Sequence, residues 1–350
     1  MRTKLSHWLR RLRLSPWAGH MDGTPTAASA RPDYARHVAP GQLGCEDGLV
    51  SGLLFSRLGS DIVEAVEAEV AAKAELAPLL DQVRNSGDSV ERRRIVLALG
   101  MWLGIAAISE RTGLTATRPP AEIHAMARGP LAAAGGLYEA DMVIGALVGC
   151  GVSLNGLRTA LDFGCSSGRV VRVLSAAYPQ VDWYGCDPNR DAVKWGEANV
   201  NGVRFFESPQ QPPLELGTGE LDLVYAISIW SHFDSGLGLR WFEEMHRLLS
   251  PGGHLVITTH GLASIPYYAQ LGSRNDAQLS EIKESLYETG TWFEAEFGLQ
   301  GDWGIVNPAW GSAFVSPEWI LANLCPKWRV LEFAPGRNQN NQDLYVLQRP

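Results

Sequence analysis

No apolar run in the 350 residues is long enough to span a bilayer. The longest, IVLALGMWLGIAAI at residues 95–108, falls short of the ~20 residues a membrane helix requires, so a buried helix is expected there. Paired cysteines are missing as well. Cys45, Cys150, Cys165, Cys186 and Cys325 are scattered, odd in number and never spaced C-x-x-C, which argues against a disulfide framework or a zinc site and fits reduced thiols in a cytoplasm. No other metal-ligand spacing is present. Charged residues make up only 19% of the chain and the net charge is -8; an acidic body repels a phosphate backbone, and nucleic acid is not an expected partner. Acids are absent from the first fourteen residues, which carry Arg2, Lys4, Arg10, Arg11 and Arg13. That head has no continuous apolar segment or small-residue cleavage site and is a poor secretory signal. Leu5, Trp8, Leu9 and Leu12 recur at helical spacing opposite the arginines, so weak membrane contact by the basic N-terminus stands beside the reading of a solvated, frayed end. The expected location is cytoplasmic, with peripheral membrane contact left open. Oligomeric state is not legible.

What is present divides into three parts. Residues 1–47 combine the basic head with a Pro-, Gly- and Ala-rich linker. Residues 48–150 form a helical region, with helices expected from 61 to about 83, from 91 to 111, near 121–128 and over 137–149. Asp81, Asp88 and the Arg92, Arg93, Arg94 cluster read as a solvated helix face. Residues 151–350 change texture to short β-rich runs alternating with amphipathic segments: TALDFG, VDWYGCD, VRFFES, LDLVYAI and HLVITTHG, with helices at about 169–178, 190–199 and 237–249. Such alternation predicts an α/β fold, a mostly parallel sheet with helices on both faces. A long insertion at 262–315 carries many aromatic residues and little strand character. After it, SPEWILANLC is a helix capped by Ser316, and two closing runs at 328–334 and 343–349 form an antiparallel hairpin.

The chemistry concentrates in LDFGCSSGRVVRVL. A buried strand ends at Asp162, and a small-residue turn leads into a helix whose free N–H groups suit a carboxylate or phosphate. Gly164 and Gly168 permit a tight turn. Asp187 closes the second strand, where an acid accepts hydrogen bonds from ribose hydroxyls. The turn reads D-x-G-x-S-x-G, unlike the G-x-G-x-x-G of nicotinamide binders, and no Tyr-x-x-x-Lys pair lies downstream; an NAD-dependent oxidoreductase is therefore disfavoured.

With LDFGCSSGR, YGCDPN, LDLVYAISIWSHF and LLSPGGHLVITTHG in this order, the chain resembles the class I S-adenosylmethionine-dependent methyltransferases, in particular the small-molecule and glycan-modifying group. The likeness covers residues 157–261. It implies a Rossmann-like seven-stranded sheet with an antiparallel last strand, S-adenosylmethionine as cofactor, and methyl transfer. Carried over by position, Asp162, Gly164, Cys165, Ser166 and Gly168 surround the amino-acid end of the cofactor. Asp187 and Pro188 lie at the ribose, Glu207 or Ser208 at the adenine, and Ile227 beside the sulfonium. Ser166 replaces the glycine usual there. If that position requires positive φ, the serine costs ~1 kcal/mol, and a methyltransferase-like protein that binds cofactor or partner without turnover becomes the competing reading.

Methyl transfer to a hydroxyl needs an aligned acceptor and a base. His232 and His260, at the ends of the fourth and fifth strands, are the candidates; packing or loop-holding is the alternative for each. His246 and His254 read as scaffold. The expected acceptor is a small molecule or saccharide, methylated at oxygen. Its pocket is assigned to the aromatic insertion, for which a second hydrophobic cluster is an equal reading. Five tryptophans (292, 303, 310, 319 and 328) fall after the fifth strand, which points to that region for specificity.

Overall fold

The computed structural model describes residues 48–86, 89–120, 123, 132–295, 298–299 and 306–350. The basic head, the linker with Cys45, Asp88, the helix expected near 121–128 and Trp303 lie outside the described residues. Among the described residues, six α-helices precede the sheet: α1 (Leu49–Phe55), α2 (Ser60–Ala71), α3 (Ala77–Ser86), α4 (Ser89–Trp102), α5 (Ala106–Thr112) and α6 (Ala132–Gly149). Two of the helices expected here are each broken in two. Pro78 lacks an N–H to continue the preceding helix and sits instead in the first turn of α3. Gly104, at φ 67, ends α4 by taking the left-handed conformation, and the Ile105 N–H bonds back to Gly100.

The solvated-face expectation fails at Arg94, which is buried. Its Nε donates to Asp141 Oδ2 at 2.8 Å, while Asp141 Oδ1 accepts from the Val50 and Ser51 N–H groups at the start of α1. A carboxylate that deep needs compensating donors, and two elements far apart in sequence supply them. Arg92, by contrast, pairs with Glu67 in a partly exposed position.

The sheet contains β1 (Thr159–Phe163), β2 (Asp182–Asp187), β3 (Val203–Glu207), β4 (Leu221–Ala226), β5 (Leu249–His260), β8 (Arg329–Asn338) and β9 (Gln342–Gln348), with a ribbon of β6 (Thr291–Glu294) and β7 (Ser312–Val315). Order runs β3-β2-β1-β4-β5, all parallel. Next to β5 lies β9, antiparallel, with β8 antiparallel to β9 outside it. These seven strands are the Rossmann-like arrangement the sequence predicts. Helices α7 (Val171–Ala177), α8 (Arg190–Asn199), α9 (Ser235–Leu248) and α12 (Pro317–Leu324) complete it, with α10 (Ser264–Leu271) and α11 (Asp276–Glu288) in the insertion. The local signals work where expected: the Asn189 side chain caps α8, Asp234 caps α9, and the Ser316 hydroxyl accepts from the Trp319 N–H.

The insertion has more strand than anticipated. TWFE and SAFV are too short to register as alternating runs, yet they pair antiparallel as β6 and β7. β7 touches β5 only at His260–Phe314, so the ribbon leaves the sheet from the carboxyl end of β5.

Aromatic packing holds the centre. Phe163, Trp230, Phe233, Trp241 and Phe242 stack in one buried group, with the Phe163 and Trp241 rings 4.6 Å apart. Trp328 is buried there and Trp319 packs against it, so these two tryptophans serve the core rather than a pocket. Asp343 is less expected. It lies fully inside, with Oδ1 accepting from the Gly336 N–H, and burial pushes its pKa from 3.8 up to about 7. A raised carboxyl means the folded state holds more protons than the unfolded one between those values, so this group's stabilising contribution is lost as pH rises through them. Asp343→Asn keeps an oxygen for Gly336 and removes the titration. The variant is expected to gain stability at pH 8, at most roughly 4 kcal/mol, and nothing at pH 3.5. Thermal unfolding at the two pH values checks this, and an equal gain at both would contradict it.

Candidate active site

The turn after β1 is anchored to β2. Gly164 and Cys165 both donate N–H to the Cys186 carbonyl, at 2.9 and 3.0 Å, and the Gly168 N–H bonds to Cys165 O. Gly164 and Gly168 have φ of 79 and 81, which only glycine adopts cheaply. Side chains fill the space beside them. A Cβ on Gly164 would lie 2.1 Å from Ile229 Cδ1, and one on Gly168 2.7 Å from the Phe205 ring, so both glycines are also demanded by packing. Ser166 takes φ 49, the strained conformation its usual glycine would accommodate. A tether accounts for it: the Ser166 N–H donates to Asp187 Oδ2 at 2.8 Å.

Asp187 is thereby the hub of the site. Its other oxygen accepts from the Asn189 N–H at 2.8 Å, Pro188 beside it is half-buried, and its carbonyl receives the Ser208 N–H at 3.1 Å. Ser208 is buried, while Glu207 is exposed and reaches Arg190 at 3.6 Å. Cys165 and Cys186 are buried thiols whose pKa burial drives well up, which keeps them protonated. Asp162 is also buried; desolvation raises its carboxyl to about 7, against the lowering pull of Tyr225 and Arg169.

On the other side of β1, Ile227 follows β4, half-buried, and Ser228 is the second strained residue, with φ 64. A buried polar network holds it. Its N–H donates to Thr258 Oγ1 at 2.8 Å, its hydroxyl accepts from Gln342 Nε2 at 2.6 Å and lies 3.0 Å from the Ser231 hydroxyl, and Thr258 in turn donates to Gln342 Oε1. No sequence signal pointed to Gln342 or Thr258. Only the β5–β9 pairing, which sets His260 opposite Gln342, brings them together.

The two candidate histidines stand differently. His232 is half-buried, its ring stacked on Trp310 at 4.6 Å, and its Nδ1 lies 2.8 Å from the Gly311 carbonyl. Because a carbonyl can only accept, Nδ1 is the donor in this contact. His260 is buried at 4% exposure, with Nδ1 on the Ala313 carbonyl and Nε2 3.2 Å from the Tyr268 hydroxyl. Burial lowers its pKa to about 3, so it stays neutral. The ribbon brings both together: Gly311 and Ala313 donate their N–H groups to the carbonyls of His232 and Ser231. His246 packs edge-on against Trp328, and His254 lies near Gln348.

The insertion's aromatics divide. Trp292, Tyr268 and Phe314 join Leu279, Ile282 and Leu286 in a second hydrophobic cluster, whereas Trp310 packs against the central core and stacks on His232.

Residues 161–255, which include the turn, Asp187 and His232, match the methyltransferase-domain family. This stretch is a methyltransferase domain. No curated protein is similar enough in sequence to count as a relative. Solved structures similar to the methyltransferase include an S-adenosylmethionine-dependent methyltransferase from Mesorhizobium loti, at 16% identity over 58% of this chain and 96% of that one, with TM-score 0.39. Another, from Clostridium acetobutylicum, shows 12% identity over 60% and 90%, with TM-score 0.40. A protein from Pyrococcus horikoshii shows 13% identity over 61% and 90%, with TM-score 0.42.

The donor set of the methyltransferase fits its cofactor. A tethered carboxylate ends β2, a buried one lies one residue before the end of β1, and the buried Nε of Arg169 beside the turn has no hydrogen-bond partner among the described residues. No helix among the described residues is long and apolar enough to cross a membrane.

Proposed function

We propose that the methyltransferase transfers its methyl group to a hydroxyl oxygen of a small molecule or saccharide, with His232 as the proton acceptor. The observation that carries this reading is the orientation of His232: its Nδ1 lies 2.8 Å from the Gly311 carbonyl and its ring stacks on Trp310 just past β4, which supports Nε2 as the proton acceptor. Bound S-adenosylmethionine supplies an electrophilic methyl carbon on its sulfonium. The chain supplies the rest. Asp187, with Pro188 beside it, would accept from the ribose hydroxyls; Asp162, Gly164, Cys165, Ser166 and Gly168 would hold the amino-acid end; Ser208, with Glu207 outside it, would border the adenine; and Ile227 would lie on the side of the sulfur.

His260 is a positioning residue in this reading. A ring neutral down to about pH 3 is a weak proton acceptor, but its bonds to Ala313 and Tyr268 fasten the ribbon and α10 to the end of β5. Trp310 and the post-β4 segment then border the acceptor, which supports the insertion as its binding element. A cytoplasmic location, and contact of the basic head with membranes, belong to the same proposal.

The test is incubation of the purified protein with labelled S-adenosylmethionine and fractionated metabolites and glycans. Label is expected in a saccharide or small-molecule fraction, stable to mild base as a methyl ether is and a methyl ester is not. Cofactor binding with no transfer to any fraction would refute turnover on this acceptor class.

A further inference from the structure

Glu139 belongs to α6, outside the segment that matches the methyltransferase-domain family. It nevertheless reaches the cofactor turn. Its carboxylate pairs with the Arg169 guanidinium at 2.5 Å, and the two side chains are only 7% and 15% exposed. The backbone makes this contact close, because a Cβ on Gly136, one turn earlier, would lie 2.6 Å from the Arg169 carbonyl oxygen. Tyr138, the neighbour of Glu139, donates its hydroxyl to Arg337 O at 2.8 Å and accepts from the Gln339 N–H at 3.2 Å, so this turn of α6 is fastened to the β8–β9 hairpin as well.

Asp162 and Tyr225 feel the charges of the same pair: Arg169 lowers and Glu139 raises the Asp162 pKa, and Asp162 and Glu139 both raise that of Tyr225. Among the groups acting on Asp162, Arg169 is the one cation among the described residues and Glu139 a second anion. One buried carboxyl thus pairs with the guanidinium and a second feels its charge, and that guanidinium keeps its Nε without a hydrogen-bond partner among the described residues. Both features cost free energy in low dielectric. A free α-amino acid group, with one ammonium and one carboxylate, relieves both at once: the ammonium balances the second carboxyl and the carboxylate takes the guanidinium donors.

We propose that Glu139 and Arg169 bind the amino-acid end of S-adenosylmethionine, the Glu139 carboxylate accepting from the α-ammonium and the Arg169 guanidinium donating to the α-carboxylate. The inference rests on the turn at 164–169 as the cofactor site. It makes the helical region before the family-matched segment one wall of that site. Rigid fastening of α6 to both the turn and the hairpin limits the ordering entropy that binding must overcome.

Titration calorimetry on the full chain tests this with four ligands: S-adenosylhomocysteine, its deaminated and decarboxylated analogues, and 5′-methylthioadenosine, which keeps adenine, ribose and thioether but has no amino-acid end. Glu139→Gln and Arg169→Gln are each expected to weaken S-adenosylhomocysteine about 10-fold or more, with 5′-methylthioadenosine changed less than about twofold. The losses should also be specific: the deaminated analogue binds wild type and Glu139→Gln alike, and the decarboxylated one binds wild type and Arg169→Gln alike. Equal weakening of S-adenosylhomocysteine and 5′-methylthioadenosine in the variants would overturn the inference, since the pair would then only hold α6 in place. Should either variant fail to fold, the wild type decides: 5′-methylthioadenosine bound as tightly as S-adenosylhomocysteine overturns it, and a preference of about 100-fold supports it. Failure of the wild type to bind any of the four at millimolar concentration is a separate result that would sink the cofactor-site reading and this inference with it.

Discussion

Alanine at Asp187 is expected to weaken S-adenosylhomocysteine binding by about 100-fold or more. The carboxylate has two tasks. Within the protein it accepts from the Ser166 and Asn189 N–H groups; in the proposed reading it also accepts from the ribose hydroxyls. Hydrogen bonds to a charged group contribute about 1.5–3 kcal/mol each, so losing the ribose contacts alone approaches the ~2.7 kcal/mol that a 100-fold change in affinity represents. Ser166 adds to this. At φ 49 it holds an uncommon conformation, and without the 2.8 Å tether to Asp187 the turn is free to relax away from its binding shape. Asparagine does not rescue the site, because its single carbonyl oxygen serves only one of the two N–H groups. Calorimetry measures the affinity and circular dichroism verifies folding; an affinity within threefold of wild type in a folded Asp187→Ala protein would remove this residue from the cofactor site.

His232→Ala is expected to lower kcat by about 100-fold or more, the scale at which general-base catalysis operates, and to leave S-adenosylhomocysteine affinity within about twofold. The asymmetry follows from position. His232 lies past β4 and its bond is to Gly311 on the ribbon, away from the Asp187 hub. Stacking on Trp310 fixes the ring plane, so the loss on mutation is of an oriented acceptor rather than of bulk. Single-turnover kinetics with the acceptor found by labelling separates the chemical step from binding. Unaltered turnover would exclude His232 as the base, and a large fall in cofactor affinity would show that it merely supports the cofactor cleft.

Much of the cofactor core is legible from neighbouring residues alone. Helix α8 occupies residues 190–199 as read from the sequence, because Pro188, the Asn189 cap and the apolar spacing after it all act within a few residues. Ser316 and Asp187 are of the same kind. Departures occur where a contact joins distant segments. The helices at 60–86 and 89–112 divide at Pro78 and Gly104, residues whose effect on a helix depends on whether packing keeps the next turn in line. Arg94 looks like one of three surface arginines until Asp141, on another helix, draws it inside. Strands of four residues, such as TWFE and SAFV, carry almost no periodicity and exist because each supplies the other's backbone partners.

The tryptophans illustrate the same limit. Their abundance after β5 is plain in the composition, but composition does not separate Trp328 in the core from Trp310 on His232.

By itself, then, the sequence determined the alternation of strands and helices, the glycine-dependent turn at 164–168, the acid at 187 and the kind of cofactor they suit, since each depends on backbone conformation and capping over a handful of residues. Tertiary structure alone decided that His232 stacks on Trp310 while His260 is buried, that Gln342 holds the strained Ser228, and that Glu139 of the helical region faces Arg169 beside the turn. Those pairings span long stretches of chain, and their free energy comes from burying polar groups together, which is available only once the elements have packed.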